Sequence, residues 1–228
     1  FQANQAASEK AMTQFRGRLM GLVDFHGSTR SVGLLRLLWG LILWSRWASE
    51  LLPFRSLVWS HWVLGIAFFL GSTGMVIGLF SRLSSLLTGL ATLYMVFVVG
   101  HQMGFEPWGH HHTTFLAVVA FVLGFTPCGG SFSVDRWLAI RRAEAQGLAW
   151  PKEWGNVWAV RLIGLQLSAI YFWGAVDKTR WAFLGGDRLE QPLMYLYFGS
   201  DFPGEWFHWL CIGLAFSTIF LEYSLAVG

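Results

Sequence analysis

HHHTTFLAVVAFVLGFTPC, residues 110–128, decides how this chain folds. After three histidines comes a run with no aspartate, glutamate, lysine or arginine. At ~1.5 Å rise per residue, a helix of that length crosses nearly all of a ~30 Å hydrocarbon core. Comparable apolar stretches run over 32–52, 59–80, 83–103, 157–177 and 206–227. The expected fold is therefore all-α: an integral membrane protein of about six transmembrane helices with amphipathic interfacial helices beside them.

Composition agrees. Charged residues make up 13% of the 228, against about 25% in ordinary globular domains. The 14 Trp and 20 Phe suit helices anchored at two membrane interfaces. No basic run or nucleic-acid motif is present, which excludes that partner class. Cys128 and Cys211 are too few and too far apart for a disulfide framework or a CxxC pair, and read as isolated small apolar residues.

Two domains are expected, an amphipathic N-terminal segment at 1–30 and a transmembrane domain at 31–228. Within the first, residues 4–24 carry Lys10, Arg16 and Arg18. Residues 133–147 read as an interfacial helix capped by Ser133 and ended by Gly147. Residues 192–199, PLMYLYFG, are too short to cross and suggest a re-entrant segment or surface lid. Gly74 and Gly78 form a small-xxx-small pair of the kind that packs helices. Arg36 and Arg46 interrupt the first span near its ends, where long side chains are expected to snorkel to the headgroups.

Basic residues orient the chain. With the N-terminus inside, nine lie on inner segments: Lys10, Arg16, Arg18, Arg30, Arg82, Arg136, Arg141, Arg142 and Lys152. Four, Arg55, Lys178, Arg180 and Arg188, lie outside. The expectation is a multi-pass protein with both termini cytoplasmic.

On that topology the ionisable groups gather at the outer ends of the spans. They are His61, His101, His110, His111, His112 and His208, with Asp177 and Lys178 closing the fifth helix. Imidazole takes up a proton near neutrality, and a lysine held in an apolar pocket becomes a base. Trp108, Tyr171, Trp173 and Trp181 are placed to wall a pocket there, although interfacial aromatics more often serve as anchors. Metal binding is the weaker reading, because no HxxxH or HExxH spacing occurs and adjacent histidines on a helix do not face one another.

Two segments carry a resemblance. WGHHHTTFLAVVAFVLGFTPCGGSFSVDRWL at 108–138 opens a helix with an aromatic and histidines and follows it with Ser-Val-Asp. RLIGLQLSAIYFWGAVDKTRWAFLGGDRL at 161–189 holds a Tyr-Phe, a lysine, a tryptophan and a glycine pair. In this order and spacing they resemble the HTTM (horizontally transferred transmembrane) domain family and the membrane domain of vitamin K-dependent γ-glutamyl carboxylase. The resemblance implies a quinol or vitamin K-like hydroquinone as cofactor, Lys178 as base and His112 as its hydrogen-bonding partner. It also implies a pocket shared with His111, Trp108, Tyr171 and Trp181, on the lumenal or periplasmic face. This chain has His111 where the family has asparagine, and Asp177 where the carboxylase has a second lysine. It holds no counterpart of the carboxylase's extramembrane domain, so carboxylation of a protein substrate is not expected.

Two function classes follow. One is an enzyme acting on a quinol-like amphiphile at the outer face. The other is a non-catalytic subunit that packs against partner helices and holds lipid, quinone or pigment. A transporter is the weakest reading, because no charge pair or broken helix is visible inside a span.

Overall fold

A computed structural model describes Gly17 and residues 24–52, 59–104, 111–199 and 204–227. It divides into two compact units, residues 1–161 and 162–228. The amphipathic stretch at 4–24 lies almost wholly outside the described residues.

The first unit is built on four helices: α1 (Thr29–Trp47), α2 (Trp59–Ile77), α3 (Ser81–Tyr94) and α4 (His111–Leu123). α3 continues as a π-helix over Met95–Gln102. Their order follows from close approaches. A Cβ on Gly71 would lie 2.9 Å from the Thr88 nitrogen, and one on Gly74 would lie 2.9 Å from Ser84 Cβ. The rising and falling numbers make α2 and α3 antiparallel. Gly89 meets Phe121 and Gly124 meets Leu86 in the same sense, so α4 runs antiparallel to α3. Gly40 packs on Val76, and Trp39 Nε1 donates to the Leu116 carbonyl at 3.0 Å, which ties α1 to both α2 and α4.

α3 holds this bundle together through its small residues. Ser81, Ser84, Ser85, Thr88, Gly89, Ala91 and Thr92 are all buried along one stripe. The hydroxyls of Thr88 and Thr92 donate to carbonyls one turn back, so burial leaves them satisfied. Small side chains let backbones close in, as in membrane helix packing.

The lower end of the unit is closed by α5 (Val134–Ala145) and by the antiparallel pair β1 (His26–Ser28) and β2 (Trp154–Asn156). Ser133 caps α5 by accepting from Arg136 N at 3.0 Å, and Gly147, at φ +63°, ends it as the sequence predicts. Asp135 accepts from the Phe80 and Ser81 nitrogens at 2.8 and 2.7 Å, capping α3 from a neighbouring element. Glu153 joins Arg30 at 2.5 Å and Arg136 at 3.0 Å.

In the second unit α6 (Trp158–Lys178), which begins at the end of the first, is followed by α7 (Trp181–Leu184) and α8 (Asp187–Leu193). A π-helix over Met194–Phe198 and the long α9 (Glu205–Val227) complete it. Gly186, at φ +83°, packs against α9, where a Cβ would stand 3.1 Å from Ile212, and Glu190 meets His208. At its end α6 touches Glu222 and Tyr223. The segment from Lys178 to Glu190 therefore runs back along α9, from near its C-terminus to its first turn. Residues 192–199 follow this return, and Phe198 stacks on Phe207 with ring centroids 5.0 Å apart.

Of the six expected spans, three helices among the described residues are long and apolar enough to cross a membrane: Ser81–Gln102, Trp158–Lys178 and Glu205–Val227. α1 carries Arg30, Arg36 and Arg46 within 19 residues. The described apolar parts of α2 and α4, His61–Ile77 and His112–Leu123, are shorter. α4 stops where Pro127 disfavours helix in the residue before it.

Arg36 corrects the snorkelling expectation. It is 0% exposed in the middle of α1. Its Nη1 donates to Ser81 Oγ at 2.8 Å and the Cys128 carbonyl at 3.2 Å, and its Nη2 to the Phe132 carbonyl at 2.6 Å. Arg46 does lie near the helix end, paired with Glu50 at 3.0 Å. Both cysteines are free and buried.

Candidate functional site

Within the first unit the antiparallel register brings the start of α2, the end of α3 and the start of α4 to one end. His61, His101 and His112 therefore share that end. His61 Nε2 lies 3.1 Å from the Leu52 carbonyl, and the His101 ring sits 5.9 Å from Phe97. His112 is exposed in the first turn of α4. The π-helical stretch that carries His101 widens the backbone here, a feature frequent at functional sites. Trp108 and His110 lie outside the described residues, as does the side chain of His111.

Lys178 occupies the last position of α6, in the second unit. Its ammonium is ion-paired with Glu222 of α9; the two side chains are 32% and 16% exposed. The second carboxylate oxygen, Glu222 Oε2, is buried and has no hydrogen-bond partner. Gly174, one turn before Lys178, faces the same carboxylate: a Cβ there would stand 3.6 Å from Glu222 Oε2. Tyr171 is spaced i, i+3, i+7 with Gly174 and Lys178, so it shares their stripe on α6.

A cavity of about 250 Å³ adjoins the lysine, lined by Asp177, Lys178, Arg180, Ala182, Phe183 and Arg188. Phe183 lies under the Lys178 ammonium at 6.0 Å. Trp181, expected as a wall, is 84% exposed and is not part of this lining. Trp173 also faces outward. Asp177, its neighbour in sequence, pairs with Arg180 at 3.4 Å and leaves the lysine to Glu222. A charge pair thus joins the ends of two apolar helices.

His208 lies elsewhere. Its Nδ1 is 2.7 Å from Glu190 Oε2, in the first turn of α9. Fourteen residues separate it from Glu222, about 21 Å along a helix. The structure does not bring Lys178 and His208 together. Asp187, Glu190 and His208 do approach, with ligand-type atoms within 4.8 Å of one another. Such a set has the donors of a divalent-cation site, which histidine spacing along the chain does not announce. The His208–Glu190 hydrogen bond and the preference for acids in the first turn of α8 explain it without an ion.

Sequence reasoning missed Glu222, the partner of the lysine it chose. The signal was available: an acid inside the otherwise apolar 206–227 span is a functional candidate by default. Phe183 was masked by the more conspicuous Trp181.

No curated protein and no solved structure matches the chain. The family model of the HTTM domain does, over residues 49–221, which takes in α2 through most of α9. The chain is a membrane protein belonging to the HTTM domain family.

Proposed function

We propose that this HTTM domain binds a hydroxyl-bearing amphiphile of the quinol class and moves a proton at its hydroxyl through the Lys178–Glu222 pair. The single observation that carries the reading is the buried, unpartnered Glu222 Oε2 beside an ion-paired ammonium. A buried acceptor without a donor costs free energy, and a ligand hydroxyl supplies that donor. Glu222 Oε2 accepts the hydrogen bond and takes the proton, while the Lys178 ammonium offsets the negative charge left on the ligand oxygen. Phe183, on the cavity lining, supplies aromatic surface for a flat ring, and Tyr171 is proposed as a further aromatic one stripe along α6. When bound, the quinol would contribute redox chemistry that these side chains lack. His112 is proposed as a further hydrogen-bonding partner, and His111 and Trp108 as ligand-binding residues, in line with the carboxylase resemblance. A cytoplasmic N-terminus and an outward-facing lysine belong to the same proposal.

A reduced naphthoquinol with a hydrophobic tail, and the matching quinone without a donor hydroxyl, test it in the purified protein. The expected result is tighter binding of the quinol, with the preference lost in Glu222→Gln and in Lys178→Met. Equal affinity of the wild type for both forms sinks the reading. For His112, the double substitution with Lys178 should be non-additive, as for groups that act on one ligand.

A non-catalytic subunit is the second reading, and the ion pair favours it too, because paired charges between helices also fix their packing. It predicts stoichiometric partner chains after native purification and no quinol preference.

A further inference from the structure

A further cavity lies at the other end of the first unit from its histidines. It measures about 560 Å³ between the start of α3 and α5. Leu79, Phe80, Leu83, Pro127 and Leu138 give it apolar walls, and Arg82 and Arg142 stand on its lining. Arg82 spends its Nε on the Thr126 carbonyl at 3.0 Å. No acidic side chain among the described residues forms an ion pair with either guanidinium. The acid on the lining, Asp135, has both oxygens occupied by the Phe80 and Ser81 nitrogens. Those same bonds consume the first amides of α3, so the positive character of the cavity comes from the two arginines.

Its position fixes what kind of anion fits. The cavity opens at the first turn of Ser81–Gln102, a helix able to cross a membrane. Phe80 and Leu83, exposed by 69% and 66%, flank the arginines. From Leu83 an exposed apolar stripe continues through Leu87, Leu90, Tyr94 and Phe97 at helical spacing. Fourteen residues separate its ends, about 21 Å, which exceeds the ~15 Å depth of one leaflet. A polar ion would use the arginines and leave the stripe idle; a neutral lipid would do the reverse.

We propose that this cavity is a headgroup site for an anionic phospholipid, with its phosphate on Arg82 and Arg142 and an acyl chain along the Leu83–Phe97 stripe. Two guanidiniums on one lining, Arg82 held by the Thr126 carbonyl, suit a phosphate better than a diffuse basic surface does. The site is built wholly from the first unit, shares no residue with the Lys178 cavity and does not depend on the quinol reading.

Native mass spectrometry and thermal unfolding of the full chain in detergent, titrated with phosphatidylglycerol or phosphatidylcholine of equal acyl length, test it. Phosphatidylglycerol should be retained and raise the unfolding temperature, and phosphatidylcholine should not. Arg142→Gln, on an exposed position, should weaken phosphatidylglycerol binding roughly fivefold. Arg141→Gln on the same helix, stacked on Trp137 and off the lining, should leave it unchanged. Equal binding of the two lipids, or an Arg142 variant that binds like wild type, overturns the proposal. So does a full effect from inorganic phosphate alone, or a protein chain rather than a lipid released by the substitution.

Discussion

Two charged residues set what the first unit tolerates. Arg36 is wholly buried and donates to three oxygens on α3 and on the turn before α5. Arg36→Met should therefore destabilise by about 3 kcal/mol, since it strands the buried Cys128 carbonyl and the part-buried Phe132 carbonyl as well as deleting charge-assisted bonds. Arg36→Lys, which keeps the charge but not the planar fork, should recover part of this. Thermal unfolding in detergent measures both. Glu153 gives the pH dependence. The Arg30 hydrogen bond, aided by the Arg136 charge, holds its carboxyl below the usual value of 4.5. The unfolded chain then binds more protons than the folded one in the window below that value. Stability from this contact is complete above pH 4.5 and is lost as pH falls through the folded-state value. Glu153→Gln should flatten the acid limb of an unfolding-temperature profile; an unchanged slope would place the acid sensitivity elsewhere. Composition made neither role legible. Arg36 is one arginine in an apolar run, and only the fold reveals that carbonyls of residues 128 and 132 wait for it.

Periodicity and capping were legible at the scale of elements. Ser133, Gly147 and the apolar runs mark their helices from sequence alone, because each acts through its own neighbours in the chain. The two members of the small-xxx-small pair do different jobs: Gly74 is a packing contact against Ser84, whereas Gly78 is the φ +73° turn that ends α2. Gly74→Leu should push α2 from α3 and cost about 1–3 kcal/mol, as overpacking does. Gly164, in the middle of α6, has open space for 4 Å around the point where an alanine methyl would stand. Gly164→Ala should stabilise by about 0.5–1 kcal/mol through helix propensity. Unfolding temperatures of the two variants should move in opposite directions; parallel shifts would mean that backbone entropy, not close approach, governs both. The span count was less legible, because length thresholds apply to continuous helices. Pro127 shortens α4, three arginines load α1, and the α3 crossing is completed by a π-helix that no periodicity announces.

At the scale of the whole molecule, counting crossings fails where a segment returns without being apolar. Charge counting sets Lys178 outside and the C-terminus inside, which requires α9 to leave the lysine's side of the bilayer. Inside the second unit, Lys178 instead meets Glu222, five residues before Val227. The stretch through α7 and α8 has already travelled the length of α9, with Gly186 on Ile212 and Glu190 on His208. Its charges, Asp187, Arg188 and Glu190, hide it from any hydropathy window. If α9 spans the membrane, its C-terminus emerges on the face that holds Lys178. Single cysteines at Thr179 and Val227, in a chain lacking Cys128 and Cys211, should react with a membrane-impermeant maleimide from the same side. Both positions are exposed, so labelling reports sidedness rather than burial. The two cysteines should be blocked together in vesicles of one orientation and reactive together in the other. Labelling from opposite sides would break the Lys178–Glu222 contact in the membrane, and the proton-handling pair with it.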